Sequence, residues 1–274
     1  MRHGLHLRCI ALQNKGMTIE VLLSPAEFEP LTRRNLQGTT CVVFDVLRAT
    51  SSMITALNNG AEAIIPVSEI AEALAVRGSN SEVLLAGERH GVKISREITG
   101  SIDFDFGNSP REFPPDKVAG KTIVWTTTNG TRGLRACAHA DMVLVGALLN
   151  LGAVADVLDQ LRPPRLLIVC SGTFEEAAYE DTFAAGALLE SLAHLAKGVD
   201  LTDSAQIARA VFTQAGGNPA CIRDAARNGR KLLSMPALAE DVTVCLQRNT
   251  IQLNASLRED GSVRAMRGFG AKLA

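Results

Sequence analysis

The stretch VVFDVLRATSS, residues 42–52, decides how this sequence folds. It runs from continuous apolar residues through a short polar loop into a helical pattern. The same construction returns in IVWTTTNGTRG at 123–133 and in IVCSGTFEEAAYED at 168–181. Continuous apolar runs of this length are typical of strands that are buried on both faces of a parallel sheet. The three stretches therefore predict a sheet in which each strand leads through a polar loop into a helix.

Outward from these stretches, short apolar runs alternate with helical patterns along most of the chain. The predicted strands are residues 19–23, 40–47, 63–67, 81–86, 121–127, 142–145 and 166–170. The predicted helices are residues 51–59, 69–77, 131–139, 154–161 and about 180–196. Such alternation predicts a three-layer α/β/α fold with a largely parallel or mixed central sheet. We expect the ligand crevice at the carboxyl ends of the strands.

No linker divides the chain, so we predict one α/β domain over residues 17–274. Within it, residues 201–229 are a candidate helical cap, and the remainder looks mostly helical up to a weakly defined end. The alternating Phe and Asp residues of the run DFDFGNSP, residues 103–110, fit a strand whose Asp side chains share one face, and its end, residues 107–110, also fits a simple turn. We interpret residues 1–16 as a disordered or dispensable extension, because the first clear strand pattern begins after Met17.

The composition excludes several classes of function. Lys plus Arg number 28 and Asp plus Glu number 29, so a broadly basic nucleic-acid surface is not expected. No apolar run approaches the ~20 residues of a membrane-spanning helix. The six cysteines are dispersed, which favours free thiols and a cytoplasmic location. The sequence also lacks a P-loop, a dinucleotide fingerprint, a nucleophile elbow and zinc-ligand spacing.

The polar loops instead carry groups that suit phosphate chemistry. Arg48 and Arg132 offer guanidinium groups, which pair well with phosphate or sulfonate. The first N–H groups of the following helices also favour anions. Asp45, Glu180 and Asp181 offer the oxygen ligands that Mg²⁺ prefers. These residues predict a site for a small, highly charged, phosphorylated substrate.

Each of these residues also has a purely structural explanation. A hydroxyl after a strand, such as that of Thr50, often caps the next helix. Asp45 and Arg48 could form an internal ion pair. Glu180 and Asp181 could occur only because acidic residues stabilise a first helical turn. An unpaired buried carboxylate is costly, however, and this favours a functional partner for Asp45.

The sequence resembles the 2-phosphosulfolactate phosphatases in several stretches that span most of residues 19–245. They are DVLRATSS (45–52), LLAGER (84–89), FDFGNSP (104–110), TTTNGTRG (126–133) and CSGT followed by YED (170–173 and 179–181). Their order and spacing also fit the family, although the segment ISREITGSID before FDFGNSP looks longer than the family norm. The resemblance implies a Mg²⁺-dependent phosphatase that converts (R)-2-phospho-3-sulfolactate to 3-sulfolactate and phosphate. In methanogens that step belongs to coenzyme M biosynthesis.

The resemblance also suggests a role for each site residue. The metal ligands would be Asp45, Glu180 and Asp181, and the catalytic carboxylates would be Asp45, Glu88 and Asp181. The anionic groups of the substrate would be held by Arg48, Arg89 and Arg132. Neutral donors would come from Asn108, Ser109, Thr126, Thr127, Thr128 and Asn129. Attack by water is favoured over an aspartyl-phosphate intermediate, because Leu47 stands where haloacid-dehalogenase-type phosphatases have a second Asp.

Two other functions stay open at this point. One is a phosphatase for another small phosphorylated hydroxy acid. The other is a non-catalytic anion-binding module, which would need the arginines and helix starts but not the acidic residues. We expect no nucleic-acid or membrane partner, and we expect a homo-oligomer because closed symmetric assemblies are common among enzymes.

Overall fold

The computed structural model describes residues 16–195 and 198–266. The strands in these residues are β1 (Thr18–Leu22), β2 (Thr39–Phe44), β3 (Ala63–Val67), β4 (Leu84–Arg89), β5 (Val92–Lys93), β6 (Thr122–Thr126), β7 (Met142–Gly146), β8 (Arg165–Cys170), β9 (Asp200–Leu201), β10 (Ala255–Leu257) and β11 (Val263–Ala265). The helices are α1 (Phe28–Thr32), α2 (Ala49–Asn58), α3 (Ile70–Ser79), α4 (Arg96–Thr99), α5 (Pro115–Val118), α6 (Gly130–Ala136), α7 (Leu151–Leu161), α8 (Tyr179–Ser191), α9 (Asp203–Gln214), α10 (Ala220–Ala225), α11 (Arg227–Leu233) and α12 (Ala239–Cys245).

The strands form one mixed sheet in the order β5-β4-β6-β3-β11-β10-β7-β2-β8-β1-β9. Strands β3, β6 and β4 are parallel to one another, and so are β7, β2, β8, β1 and β9. The β10–β11 hairpin joins these two parallel halves, because β10 is antiparallel to β7 and β11 is antiparallel to β3. The two halves therefore run in opposite directions within one sheet. The predicted α/β fold with a mixed sheet is confirmed.

The hairpin corrects the expectation that the end of the chain is mostly helical. Its two strands have only three residues each, which is too short for a period-2 pattern to show. Strand β11 meets β3 through the single pair Val263 and Ile64. The position of the hairpin thus depends on tertiary pairing rather than on a local sequence signal.

Strand β2 explains the three layers, because all of its residues are buried. Val42 and Phe44 belong to the hydrophobic cluster that lies under α7 and α8. Cys41 and Val43 point to the opposite face and belong to the cluster under α2 and α6. A strand that is covered on both faces has to be apolar throughout, which is the pattern that VVF shows.

Two helical connections cross between the halves of the sheet. Helix α2 leads from β2 to β3, and helix α6 leads from β6 to β7. They meet at their first turns, where a Cβ on Gly130 would lie 2.6 Å from Asp45 Oδ2 and 2.7 Å from Ala49 Cβ. Glycine at this position therefore permits the close approach. As a result, the loops after β2 and β6 lie side by side although their strands belong to opposite halves.

Several predicted boundaries differ from the structure. Strand β2 ends at Phe44 rather than at residue 47, and Glu88 lies inside β4 rather than after it. Helix α8 ends at Ser191, and the last residue of its predicted range lies outside the described residues. Almost all of the predicted extension, residues 1–15, is also outside them.

The remaining sequence predictions concern two segments and the membrane. Phe104 and Phe106 are buried and Asp103 and Asp105 are exposed, so this run does alternate faces as it passes beside β4. The candidate cap, residues 201–229, contains α9, α10 and the start of α11. Within residues 16–195 and 198–266, no helix has the length and apolar character needed to cross a membrane.

Helix α8 packs so closely on α9 that Gly186 has no room for a side chain. A Cβ there would lie 2.2 Å from the carbonyl oxygen of Ala208 and 2.7 Å from Phe212 Cβ. We expect Gly186→Ala to lower the free energy of unfolding by about 1–3 kcal/mol, as overpacked cores do. Gly78 in α3 has nothing within 4 Å of its Cβ position. The control Gly78→Ala should therefore raise that free energy by about 0.5–1 kcal/mol through helix propensity. Urea denaturation of both variants checks the prediction, and equal effects would contradict it.

Candidate active site

The loop after β2 fixes Asp45 at the start of α2. Its Oδ1 accepts a hydrogen bond from the Ala49 N–H at 3.0 Å, and its own N–H donates to Thr50 Oγ1 at 3.0 Å. Ser51 Oγ in turn donates to the carbonyl oxygen of Val46 at 2.8 Å. Thr50 and Ser51 thus brace the loop. Asp45 accepts the first N–H of α2, so this donor is already used by a hydrogen bond within the protein.

Helix α8 brings two more acidic residues beneath the same loop. Asp181 accepts hydrogen bonds from the Val46 N–H at 2.8 Å and from the Gly172 N–H at 2.9 Å. It therefore ties the loop after β2 to the loop after β8. Glu180 Oε1 accepts from Asn228 Nδ2 at 2.7 Å, whereas its Oε2 is buried without a hydrogen-bond partner among the described residues.

These three carboxylates strongly affect one another. Burial raises the pKa of Asp45 to about 7, and the nearby charges of Glu88 and Glu180 act in the same direction. Burial also raises the pKa of Glu180, and it raises that of Asp181 well above its usual range, with Glu180 and Asp45 adding to the latter. Buried carboxylates of like charge are a costly arrangement that a bound cation would relieve.

Glu88 approaches the same place from β4. Its Oε1 accepts from both the N–H and the hydroxyl of Thr128, each at 2.9 Å, and its Oε2 accepts from the Gly91 N–H at 2.6 Å. These hydrogen bonds hold the β6–α6 loop against the turn that follows β4. Glu88 is therefore a rigidly held carboxylate.

The loops surround an open cleft with about 600 Å³ of free space. Of the predicted site residues, the cleft is lined by Asp45, Arg48, Glu88, Asn108, Thr128 and Asn129. Glu180 and Asp181 lie buried, and the electrostatic effects above place them close to Asp45. The loops that carry the sequence motifs thus meet at one site. The carboxyl-end rule alone does not account for this, because the two halves of the sheet run in opposite directions. The close approach of α2 and α6 brings the loops after β2 and β6 together.

Arg48 lines this cleft but already has protein partners. Its Nη1 donates to Asp241 Oδ2 at 2.6 Å and its Nη2 donates to the Gly91 carbonyl oxygen at 2.6 Å. Both partners of the Arg48–Asp241 ion pair are buried. Asp241 also accepts from Ser109 Oγ at 2.6 Å and from Arg111 Nε at 2.8 Å. The ion pair of Arg48 is with α12, and the described structure contains none with Asp45.

The other two predicted arginines do not line the cleft. Arg89 donates to the carbonyl oxygens of Glu88 and Ser68 and to Thr126 Oγ1. Arg132 donates to Asn129 Oδ1 and to Glu175 Oε1, and it lies over the Phe28 ring. Both guanidinium groups therefore brace the surrounding structure.

The predicted neutral donors divide into two groups. Asn108, Thr128 and Asn129 line the cleft, and Asn108 Oδ1 is buried with no hydrogen-bond partner among residues 16–195 and 198–266. Thr126 donates to the Ser68 carbonyl oxygen, and Thr127 Oγ1 accepts from the Thr131 N–H. Ser109 is committed to Asp241, so it and these two threonines have structural partners.

Several residues that the fold brings to the cleft were not predicted from the sequence. They are His90, Gly172, Thr173, Phe174, Asn228 and Lys231. Asn228 and Lys231 come from α11, in the stretch RNGRKLL that carries no recognisable motif. Gly172 and Thr173 follow Ser171 in the CSGT stretch and could have been included with it.

The predicted Mg²⁺ has suitable donors at one end of this cleft. No three His, Cys, Asp or Glu side chains in the described part of the chain form a complete metal cage. Mg²⁺ does not need one, because it keeps several waters and is usually bound by one or two carboxylates plus substrate phosphate. The unpartnered Oε2 of Glu180 and the carboxylate of Asp45, which uses only Oδ1 in hydrogen bonds with described residues, fit this pattern.

Comparisons with known proteins agree with the resemblance noted in the sequence. Residues 27–260 match the family model of 2-phosphosulpholactate phosphatase. A Probable 2-phosphosulfolactate phosphatase of Clostridium perfringens (strain SM101 / Type A) is 38% identical over 241 residues, which are 86% of this chain and 92% of that protein. The one of Caldanaerobacter subterraneus subsp. tengcongensis is 37% identical over 246 residues, which are 88% and 97% of the two chains. The one of Symbiobacterium thermophilum is 37% identical over 220 residues, which are 80% and 91%.

The family match covers every residue of the cleft described above. Both the match to the family model and the extent of the similarity to these relatives confirm the resemblance. The chain belongs to the 2-phosphosulfolactate phosphatase family and is a phosphoric monoester hydrolase.

Proposed function

We propose that this protein is a Mg²⁺-dependent phosphatase that hydrolyses (R)-2-phospho-3-sulfolactate to 3-sulfolactate and phosphate. The observation that carries the proposal is the group of carboxylates at one end of the cleft, with Asp45 and Glu88 on its wall and Glu180 and Asp181 buried nearby. These acids would repel a polyanionic substrate. A divalent cation between them and the phosphoryl group turns that repulsion into attraction.

Asp45 and Glu180 are the residues that would hold Mg²⁺. When bound, the ion would polarise the phosphoryl group and neutralise charge that develops during hydrolysis. Asp181 contributes differently, because each of its oxygens already accepts a backbone N–H. It holds the loops of Asp45 and Gly172 at a fixed separation.

The remaining groups on the cleft wall position the substrate and a water molecule. Glu88 is held by Thr128 and Gly91 and would orient the water that attacks phosphorus. The P–O bond to the substrate's C2 oxygen breaks, and that oxygen becomes the hydroxyl of the product after it takes up a proton. Asn108 and Asn129 line the cleft and supply amide groups for the phosphoryl oxygens.

The first prediction concerns the substrate. We expect phosphate release from racemic 2-phospho-3-sulfolactate with Mg²⁺ and none with EDTA, because the acidic groups exclude the substrate when no cation is bound. Phospholactate and phosphoglycerate serve as comparison substrates in the same assay. Preferential release from these two would support a phosphatase for another phosphorylated hydroxy acid. No release from any of them would support the anion-binding module and contradict the proposal.

The second prediction concerns Asp45. Replacing it with Asn removes a negative ligand at almost unchanged volume, and we expect kcat to fall by about a hundredfold or more. Asp224→Asn is the matched control, since Asp224 is exposed and lies outside the cleft. Substantial turnover by Asp45→Asn would contradict both a metal-binding and a nucleophilic role. Trapping a phosphorylated Asp45 in the wild-type protein would support the covalent route over attack by water.

The third prediction concerns pH. The pKa of Asp45 is about 7 in the folded protein against 3.8 for the free group, so the folded state binds more protons between these values. The contribution of Asp45 to the free energy of unfolding therefore falls as pH rises from about 4 to 7 and changes little above that range. In EDTA, the Tm of Asp45→Asn minus the Tm of the wild type should become more positive as pH increases from 5 to 8. Mg²⁺ should raise the wild-type Tm more at pH 8 than at pH 5. A pH-independent difference in EDTA would contradict the prediction.

A further inference from the structure

We propose that Lys231 is the specificity-determining residue that binds the sulfonate group of the substrate. This inference rests on the proposed function and deepens it by assigning one anionic group to one side chain. No sequence motif pointed to this residue, and it reaches the cleft only because α11 packs beside the turn that follows β4.

Lys231 is a cleft-lining cation with little to neutralise it. Its Nζ donates to the carbonyl oxygen of His90 at 2.8 Å. In residues 16–195 and 198–266 it forms no ion pair with an acidic side chain. An ammonium group has three N–H donors, so two stay available for a ligand after the bond to His90. The three oxygens of a sulfonate group are suitable acceptors for these two N–H donors.

The other candidate cations are less available. Arg89 and Arg132 do not line the cleft and have partners elsewhere. Arg48 lines it, but its guanidinium is buried against Asp241 and donates to the Gly91 carbonyl oxygen. Among the lysines and arginines of the described chain, Lys231 is thus the one that combines cleft lining with an exposed charged group.

The placement of Lys231 also matches the shape of the substrate. The phosphoryl group has to lie near Asp45 and Glu180, which are half-buried and buried, whereas Lys231 is an exposed residue of the cleft wall. The sulfonate is four bonds from phosphorus and the carboxylate only three, so the sulfonate reaches farther from the acids. A lysine ammonium acts as a point charge and accepts a three-oxygen group without the planar match that an arginine fork requires.

Helix α11 contributes two polar residues to the cleft wall from one face. Asn228 lies three residues before Lys231 and therefore points to the same side of the helix. Its amide donates to Glu180 Oε1 and to Thr173 Oγ1, each at 2.7 Å. The helix is thereby anchored to an acidic residue of the site, which fixes where Lys231 enters the cleft.

The test compares Lys231→Met with wild type on two substrates in the presence of Mg²⁺. 2-Phospholactate has a hydrogen atom in place of the sulfonate and is otherwise the same molecule. We expect the ratio of kcat/KM for 2-phospho-3-sulfolactate to kcat/KM for 2-phospholactate to fall by about ten- to a hundredfold, mainly through KM. Lys231→Arg should recover part of this ratio because it keeps the charge. Calorimetric titration with 3-sulfolactate should show a matching loss of affinity in Lys231→Met.

Arg230→Met is the matched control. Arg230 is the preceding residue of α11, but its guanidinium donates to the carbonyl oxygens of Asp224 and Ala225 and lies outside the cleft. The ratio should stay at the wild-type value in this variant. Circular dichroism and Tm report whether each variant is folded.

The outcomes separate this inference from the proposed function. One outcome overturns the inference alone. In it the wild-type protein hydrolyses the sulfonated substrate, and Lys231→Met shows the same kcat/KM ratio and the same 3-sulfolactate affinity as the wild type. An equal loss on both substrates also overturns it, because the lysine would then bind a group that both share. Wild-type protein that releases no phosphate from 2-phospho-3-sulfolactate overturns the proposed function and this inference with it.

Discussion

The hydrogen bonds of the Asp181 carboxylate hold the site together. One oxygen accepts the Val46 N–H and the other accepts the Gly172 N–H, so a single buried side chain connects the loops that follow β2 and β8. The N–H groups of buried Val46 and half-buried Gly172 are both satisfied in this way. Because the loop of Val46 also carries Asp45, the position of that carboxylate depends on the first turn of α8. The strand–loop–helix stretches of the sequence thus act as one unit in space.

The same arrangement brings like charges together in a buried place. Burial is the main cause of the raised pKa values of Asp45, Glu180 and Asp181, and their mutual repulsion adds to those of Asp45 and Asp181. Buried carboxylates that lack a countercharge reduce the stability of the fold. Their presence is understandable if the functional state contains a cation, since a cation supplies the missing countercharge. The folded protein without it is then less stable than its packing allows, which is a common property of functional sites.

The sequence predicted those parts of the molecule that depend on local patterns. Strands β2, β6 and β8 were identified from continuous apolar runs, and the acidic residues after β2 and β8 from the polar loops at the ends of those strands. The β10–β11 hairpin was missed because three-residue strands have no readable period, although it joins the halves of the sheet. The partner of Arg48 was missed for a related reason. Asp241 is 193 residues away along the chain, and nothing in the local sequence indicates which distant carboxylate a buried arginine will meet.

Two arginines of the sequence motifs hold neighbouring loops through hydrogen bonds within the protein. Arg89 holds the Ser68 carbonyl oxygen and Thr126, and Arg132 holds Asn129 and lies on Phe28. Each of them therefore fixes a loop that carries a cleft residue. Such positioning needs several donors in a rigid fork, which arginine has and lysine lacks.

Different parts of the chain position the carboxylates and supply the positive charge of the cleft. The N-terminal and central loops fix the carboxylates. From the C-terminal part of the sequence, α11 brings the positive charge of Lys231, and α12 brings Asp241, the buried ion-pair partner of Arg48. Lys231 is exposed, and within residues 16–195 and 198–266 its Nζ donates to the carbonyl oxygen of His90 and forms no ion pair with a carboxylate. If Lys231 binds the sulfonate as proposed, a change there alters which anion is bound while the hydrogen bonds of Asp181 still hold the loop of Asp45. Recognition of the distal group would then depend on α11, and the chemistry at the phosphoryl group on the loops after β2 and β8.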